Sequence, residues 1–73
     1  MKLVWVVMKS FDVEWPEEVM VLERMSNGKL KITDRNGGIF IVKEVFKSWP
    51  ELRQNRPELR NPIYFDLNRT MEI

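Results

Sequence analysis

Asp12, Glu14, Glu17 and Glu18 crowd around Trp15-Pro16 in the stretch Ser10 to Glu18, and their type and spacing come nearest to chemistry in this chain. Paired carboxylates carry out general acid and base steps when they converge in a pocket. A chain of 73 residues rarely encloses such a pocket, and acids gathered in a connecting segment ordinarily form a solvated surface. Histidine and cysteine are both absent, so imidazole proton transfer, thiolate nucleophiles, disulfides and Cys/His zinc sites are excluded from the chain itself. Asn36-Gly37-Gly38 lacks the lysine and following helix of a phosphate-cradling loop. The expectation is a protein without catalysis, cofactor or metal.

Recognition chemistry is better represented. Between Ser10 and Glu23 the sequence holds Asp12, Glu14, Glu17, Glu18 and Glu23 with no basic residue. Arg24 to Arg35 reverses this, with Arg24, Lys29, Lys31 and Arg35 against Asp34 alone. An acidic stretch beside the aromatic Trp15 suits a basic segment of a partner protein, and the competing reading folds Trp15 back over the core under Pro16. Trp49 with Arg53 and Arg56 forms a second candidate edge, because arginine stacks on aromatic rings at interfaces; the alternative is that Trp49 plugs the core and the arginines are solvated. Arg24, Lys29, Lys31 and Arg35 would be the phosphate contacts of an alternative nucleic-acid-binding face. Lysine on strand edges also discourages edge-to-edge pairing, and a net charge of +1 lacks the basic excess of duplex binders.

These side chains need elements to hold them. Leu3 to Met8 is a short β-branched and aromatic run, apolar on both alternating faces, which predicts a strand covered on two sides. The run is too short for a membrane span, and a small-residue cleavage site does not follow it, so the expectation is a soluble cytoplasmic protein. Proline and charge over Ser10 to Glu18 predict a long loop. Val19 to Met25 and Lys29 to Thr33 predict two strands joined at Asn27-Gly28. A three-residue loop with Gly28 as a bulge would pair Glu23 with Lys31 and Leu22 with Ile32, avoiding like charges face to face. Asp34 to Gly38 is a second turn, leading to a strand over Ile39 to Phe46. Ser48-Trp49-Pro50-Glu51 has the form of a capping box, and Asn55-Arg56-Pro57-Glu58 repeats it, so Pro-Glu-Leu-Arg at Pro50 and again at Pro57 predicts two short helical turns anchored inward by Leu52 and Leu59. Ile63 to Leu67 closes the chain as a strand, and residues after Asn68 are expected to fray.

The order of strand, long loop, three-stranded meander, helical turns and strand resembles the SH3-like small barrels. It lacks the Ala-Leu-Tyr-Asp-Tyr sequence and the tryptophan pair of the peptide-binding members. Gly28-Lys29, Asp34 with Gly37-Gly38, and Pro50-Glu51-Leu52 also resemble, in their order, the hairpin, turn and proline-started helix of the small archaeal chromatin barrels, which are richer in lysine. A length of 73 residues gives one domain over residues 1–73, and the resemblance implies an all-β five-stranded antiparallel barrel with a short helical insertion between the fourth and fifth strands. The expected role is a non-enzymatic module that binds a larger protein, of the phage- or operon-encoded accessory kind. Pairing of exposed strand edges into a homo-oligomer is a further expectation to be tested.

Overall fold

The computed structural model describes residues 2–65, and the fold is mainly β: four antiparallel strands in one open sheet and one short helix. Strand β1 spans Lys2–Ser10, β2 Val13–Arg24, β3 Leu30–Thr33 and β4 Ile39–Val42, and they lie in chain order across the sheet. Helix α1 covers Trp49–Asn55. Among the described residues no helix is long and apolar enough to cross a membrane.

β1 is covered on both faces, as its sequence implies. Val4 and Val6 join Val19 and Ile32 in one buried cluster, while Trp5 joins Phe46, Leu52 and Leu59 in another on the opposite side. Alternation along an extended strand sends successive side chains to opposite faces, so a continuous apolar run feeds two cores at once.

The long loop expected over Ser10 to Glu18 is instead a tight turn followed by strand, and β2 begins at Val13, well before the expected Val19. Pro16 is tolerated because its nitrogen lies on the edge away from β1. On that edge Ile63 N–H donates to the Pro16 carbonyl at 3.1 Å and Glu18 N–H donates to the Ile63 carbonyl at 2.8 Å, so no β1 ladder bond needs the missing proton. Charge density misled for a related reason: Glu14 pairs across the hairpin with Lys9, and Glu17 turns inward.

The β2–β3 turn takes the three-residue form, with Gly28 at φ 85° and Glu23 opposite Lys31. Ile32, however, pairs with Val21 rather than Leu22, because the register shifts between Val21 and Glu23. The extra residue realigns the strand so that Arg24, opposite Leu30, shares a face with Val21, opposite Ile32. The strand expected from Ile39 to Phe46 ends at Val42; the chain then crosses to the far side of the sheet, where Phe46 exchanges two 2.8 Å hydrogen bonds with Trp5. The expected fifth strand contributes a single parallel bridge, Ile63 to Glu17, and Asp66, Leu67 and the residues expected to fray lie outside the described residues. The described residues thus form a four-stranded open sheet with two lone bridges, and neither a fifth strand nor closure into a barrel is seen among them.

The capping box is displaced by one residue. Ser48 Oγ accepts from Glu51 N–H at 3.3 Å, but Glu51 Oε2 takes the Lys47 N–H at 2.6 Å, one position before the cap. The second Pro-Glu-Leu-Arg copy forms no helix; after the cap at Arg56 it makes one turn, with Leu59 N–H donating to the Arg56 carbonyl at 3.2 Å. Leu52 and Leu59 are both buried against Trp5 and Phe46, so the repeat places two leucines in one core by different backbone routes.

Candidate functional site

The β1–β2 hairpin carries Asp12, Glu14, Glu17, Glu18 and Glu23. Lys9 faces Glu14 and Ser10 faces Val13, leaving Phe11 and Asp12 as the two turn residues. Phe11 sits at φ 54° with 93% of its surface exposed. A positive φ at the first position of a two-residue hairpin turn is the ordinary place of glycine, and a bulky residue there is strained. Val13 is exposed beside it. The tip thus carries an aromatic ring that makes no core contact and holds an unfavourable backbone angle.

Behind the tip the acids have separate fates. Glu14 Oε1 accepts from Arg56 at 2.6 Å, and Arg56 also binds Glu58 at 2.6 Å, so the end of α1 is clipped to the start of β2. The hydrogen bonds that Arg56 donates to Glu14 and then to Glu58 raise its pKa above its ordinary value, and Arg56 lowers that of Glu58. Trp15 is half-buried, with its indole N–H donating to Glu17 Oε1 at 2.9 Å. Glu17 is only 4% exposed, and its Oε2 is buried without a hydrogen-bond partner among the described residues. Glu18, half-buried, pairs with Trp5 across the ladder. Asp12 is the exposed, unpaired acid of the set among the described residues.

The orphaned oxygen has a measurable consequence. Burying a polar atom without a partner costs roughly 1–3 kcal/mol. Glu17→Gln keeps a carbonyl oxygen for the Trp15 indole and leaves an unpartnered amide nitrogen in place of Oε2, so only the ionisable group is removed and the fold is expected to gain at most about 1 kcal/mol. Urea denaturation at neutral pH measures this; a loss of stability would mean that Oε2 has a partner essential to the fold.

The other sequence candidates fall in distinct places. Arg53 lies over the Trp49 ring at 5.9 Å, and Trp49 leans on Trp5 with ring centroids 5.4 Å apart, so Trp49 closes the second core with one side and holds a cation on the other. The basic set does not share a face: the bulge puts Arg24 on the Val21 side, Lys31 points to the opposite side with Glu23, and Lys29 and Arg35 flank the two ends of β3. Arg24 instead rims an open cup of about 430 Å³ floored by Val4, Val21, Leu30 and Val45, with Lys2 and Lys47 nearby.

Two exposed features were not singled out in the sequence. One is Phe11, since Phe-Asp carries none of the Asn-Gly character that announces a tight hairpin. The other is β4, whose Ile39, Phe40 and Ile41 are 63%, 41% and 48% exposed on a strand with no partner on its outer edge among the described residues. No protein-family model, curated protein or solved structure matches this chain.

Proposed function

We propose that the protein is a non-enzymatic interaction module that docks on a larger protein through the β1–β2 hairpin tip, with Phe11 inserted into an apolar pocket of basic surroundings. The strained, solvent-facing Phe11 carries this reading. Backbone strain at a bulky residue costs about 1–2 kcal/mol and is retained where the position has work to do. An exposed aromatic is the commonest kind of interface anchor, and Asp12 at its side complements positive charge on the partner. The surrounding geometry supports a firm base for the tip: Arg56 clips β2 to the end of α1 through Glu14.

The Trp5–Phe46 and Glu17–Ile63 bridges add pairing on the outer edge of β1 and along β2, which supports an SH3-like barrel as the parent architecture. The role is that of a cytoplasmic accessory protein, encoded by a phage or beside the enzyme it modulates. A cysteine-free composition is consistent with a reducing compartment. The nucleic-acid alternative draws less support, because its four basic residues are divided between two faces and two turns.

Phe11→Gly tests the reading directly. Glycine relieves the positive φ while adding unfolded-state entropy, so stability is expected to stay level or rise by up to about 1 kcal/mol. Capture of partner proteins from host lysate, after nuclease treatment and salt washing, is expected to fall at least tenfold against wild type, and Phe11→Tyr is expected to retain it. An unchanged set of captured proteins with Phe11→Gly would reject the hairpin tip, and capture lost to nuclease alone would favour nucleic acid.

A further inference from the structure

Arg24 reaches the rim of the cup because β2 carries a bulge. On a regular strand Val21 would share its face with Glu23, and Arg24 would turn to the other side. The register shift between Val21 and Glu23 reverses this. Arg24 lies opposite Leu30, on the face where Val21 lies opposite Ile32, and Glu23 goes to the far face with Lys31. An acid is thereby exchanged for an arginine above an aliphatic floor. Bulges re-aim side chains beside functional sites, and this one sets the sign of the rim.

Lys2 and Lys47 carry the same sign. Both are exposed and line the cup with Arg24, and none of the three forms an ion pair among the described residues. Glu51 is the one carboxylate in that lining, and its Oε2 already accepts the Lys47 N–H at 2.6 Å. Three cations against one engaged acid leave the mouth positive. Beneath it Val4 is buried and Val21, Leu30 and Val45 are half-buried, so the floor is aliphatic throughout.

The main chain of this floor is already paired. Trp5 turns its N–H and C=O out to Phe46, so by alternation Lys2 and Val4 bond across to Val21 and Val19. Asp34 N–H donates to the Gly38 carbonyl at 3.0 Å, and the same alternation puts Leu30 and Val42 in a bonded pair. An extended peptide laid along these strands would find no ladder groups to bond. The cup offers aliphatic surface below and positive charge above, which is the complement of a small amphiphile with an anionic head.

We infer that the cup binds a single-chain aliphatic carboxylate of the medium-chain fatty acid class, its chain on the valine and leucine floor and its head at Arg24. The guanidinium fork matches the two oxygens of a carboxylate, and Lys2 and Lys47 add attraction at the mouth. A volume of about 430 Å³ lies at the lower end of small-molecule sites and suits one chain rather than two. The cup sits at the far end of β2 from the Phe11 tip, so the two sites are tested separately.

Methyl-resolved NMR during titration with sodium decanoate at neutral pH tests the inference. Shifts are expected to saturate below about 1 mM and to centre on Val4, Val21, Leu30 and Val45. Decylammonium, with the same chain and the opposite charge, is expected to bind at least tenfold more weakly. Acetate, the head without the chain, is expected to give no saturable shift. Arg24→Glu is expected to weaken decanoate at least tenfold while circular dichroism stays native, and Arg24→Lys to weaken it less. The double variant Lys2→Gln with Lys47→Gln, expected to weaken it several-fold, serves the same purpose if Arg24→Glu fails to fold. Phe11→Gly is expected to leave decanoate binding unchanged. The proposal is overturned if decanoate gives no saturable shift, if decylammonium or acetate binds as well, or if both rim variants leave binding unmoved. Loss of decanoate binding in Phe11→Gly would move the site to the hairpin tip and overturn it too, as would an acidic apolar peptide that binds the cup where decanoate does not.

Discussion

Trp5→Ala is expected to remove about 4 kcal/mol of stability, the largest loss of any single side chain in the sheet. Trp5 is 4% exposed and stands where three parts of the chain meet. Its ring lies 5.4 Å from Trp49 and 5.2 Å, edge-on, from Tyr64, and its cluster includes Phe46, Leu52 and Leu59. Aromatic pairs of this geometry add about 0.5–1.5 kcal/mol each beyond the area they bury. The backbone of Trp5 holds Phe46 by two hydrogen bonds, so the cavity would open beside the link that returns the chain to β1. A domain of 73 residues has a total stability of about 4–11 kcal/mol, and the variant would therefore stand near the threshold of folding. Urea denaturation followed by far-ultraviolet circular dichroism measures the loss, with Trp5→Phe expected to recover more than half. A change below about 1 kcal/mol would mean that the helix and the residues around Tyr64 do not depend on this ring.

How much of this was legible in the sequence follows from which interactions are local. β1 could be read because its apolar alternation is uninterrupted, and the two Gly-bearing turns because Asn27-Gly28 and Asp34 to Gly38 carry their backbone requirement in residue type. Leu52 and Leu59 were legible as inward anchors from the repeat around them. The N-terminal half of β2 was not, since Pro16 and its acidic neighbours are accommodated by a partner, Ile63, that no local pattern announces. In the sequence Phe46 reads as the end of a strand for the same reason: its bond to Trp5 spans the sheet. At the candidate site, the acidic residues and Trp15 were visible as a group, but their separation into a clipped Glu14, a buried Glu17 and an exposed Asp12 depends on strand alternation within a segment read as loop. Phe11 was hidden because nothing about a phenylalanine signals a positive φ.

Asp34→Ala tests a different kind of stability, the pinning of register, and is expected to cost about 2 kcal/mol. Asp34 is largely buried, and its Oδ1 accepts from Asn36 N–H at 3.0 Å and Gly38 N–H at 2.7 Å. Those bonds hold the β3–β4 turn in the form in which Gly37 adopts φ 85°. Gly38 is confined too, because a Cβ there would lie 3.0 Å from the Phe40 ring and 3.3 Å from both Asp34 carboxylate oxygens. The other hairpin turn provides an internal control. Asn27 Oδ1 accepts from Lys29 N–H at 3.0 Å in an exposed setting where water can replace it, so Asn27→Ala is expected to cost less than about 1 kcal/mol. Asp34→Asn, which keeps one acceptor oxygen without charge, should fall between the two. Hydrogen exchange gives the sharper readout: in Asp34→Ala the Phe40 and Val42 amides should exchange faster, while those between β1 and β2 keep their protection. The outward direction of the Ile39 and Ile41 amides is set by this turn. A slip of one residue would turn them inward and present Phe40 and Val42 to the edge instead. Equal losses for Asp34→Ala and Asn27→Ala, with uniform exchange across the sheet, would show that the β3–β4 register is held by strand packing and not by the Asp34 carboxylate.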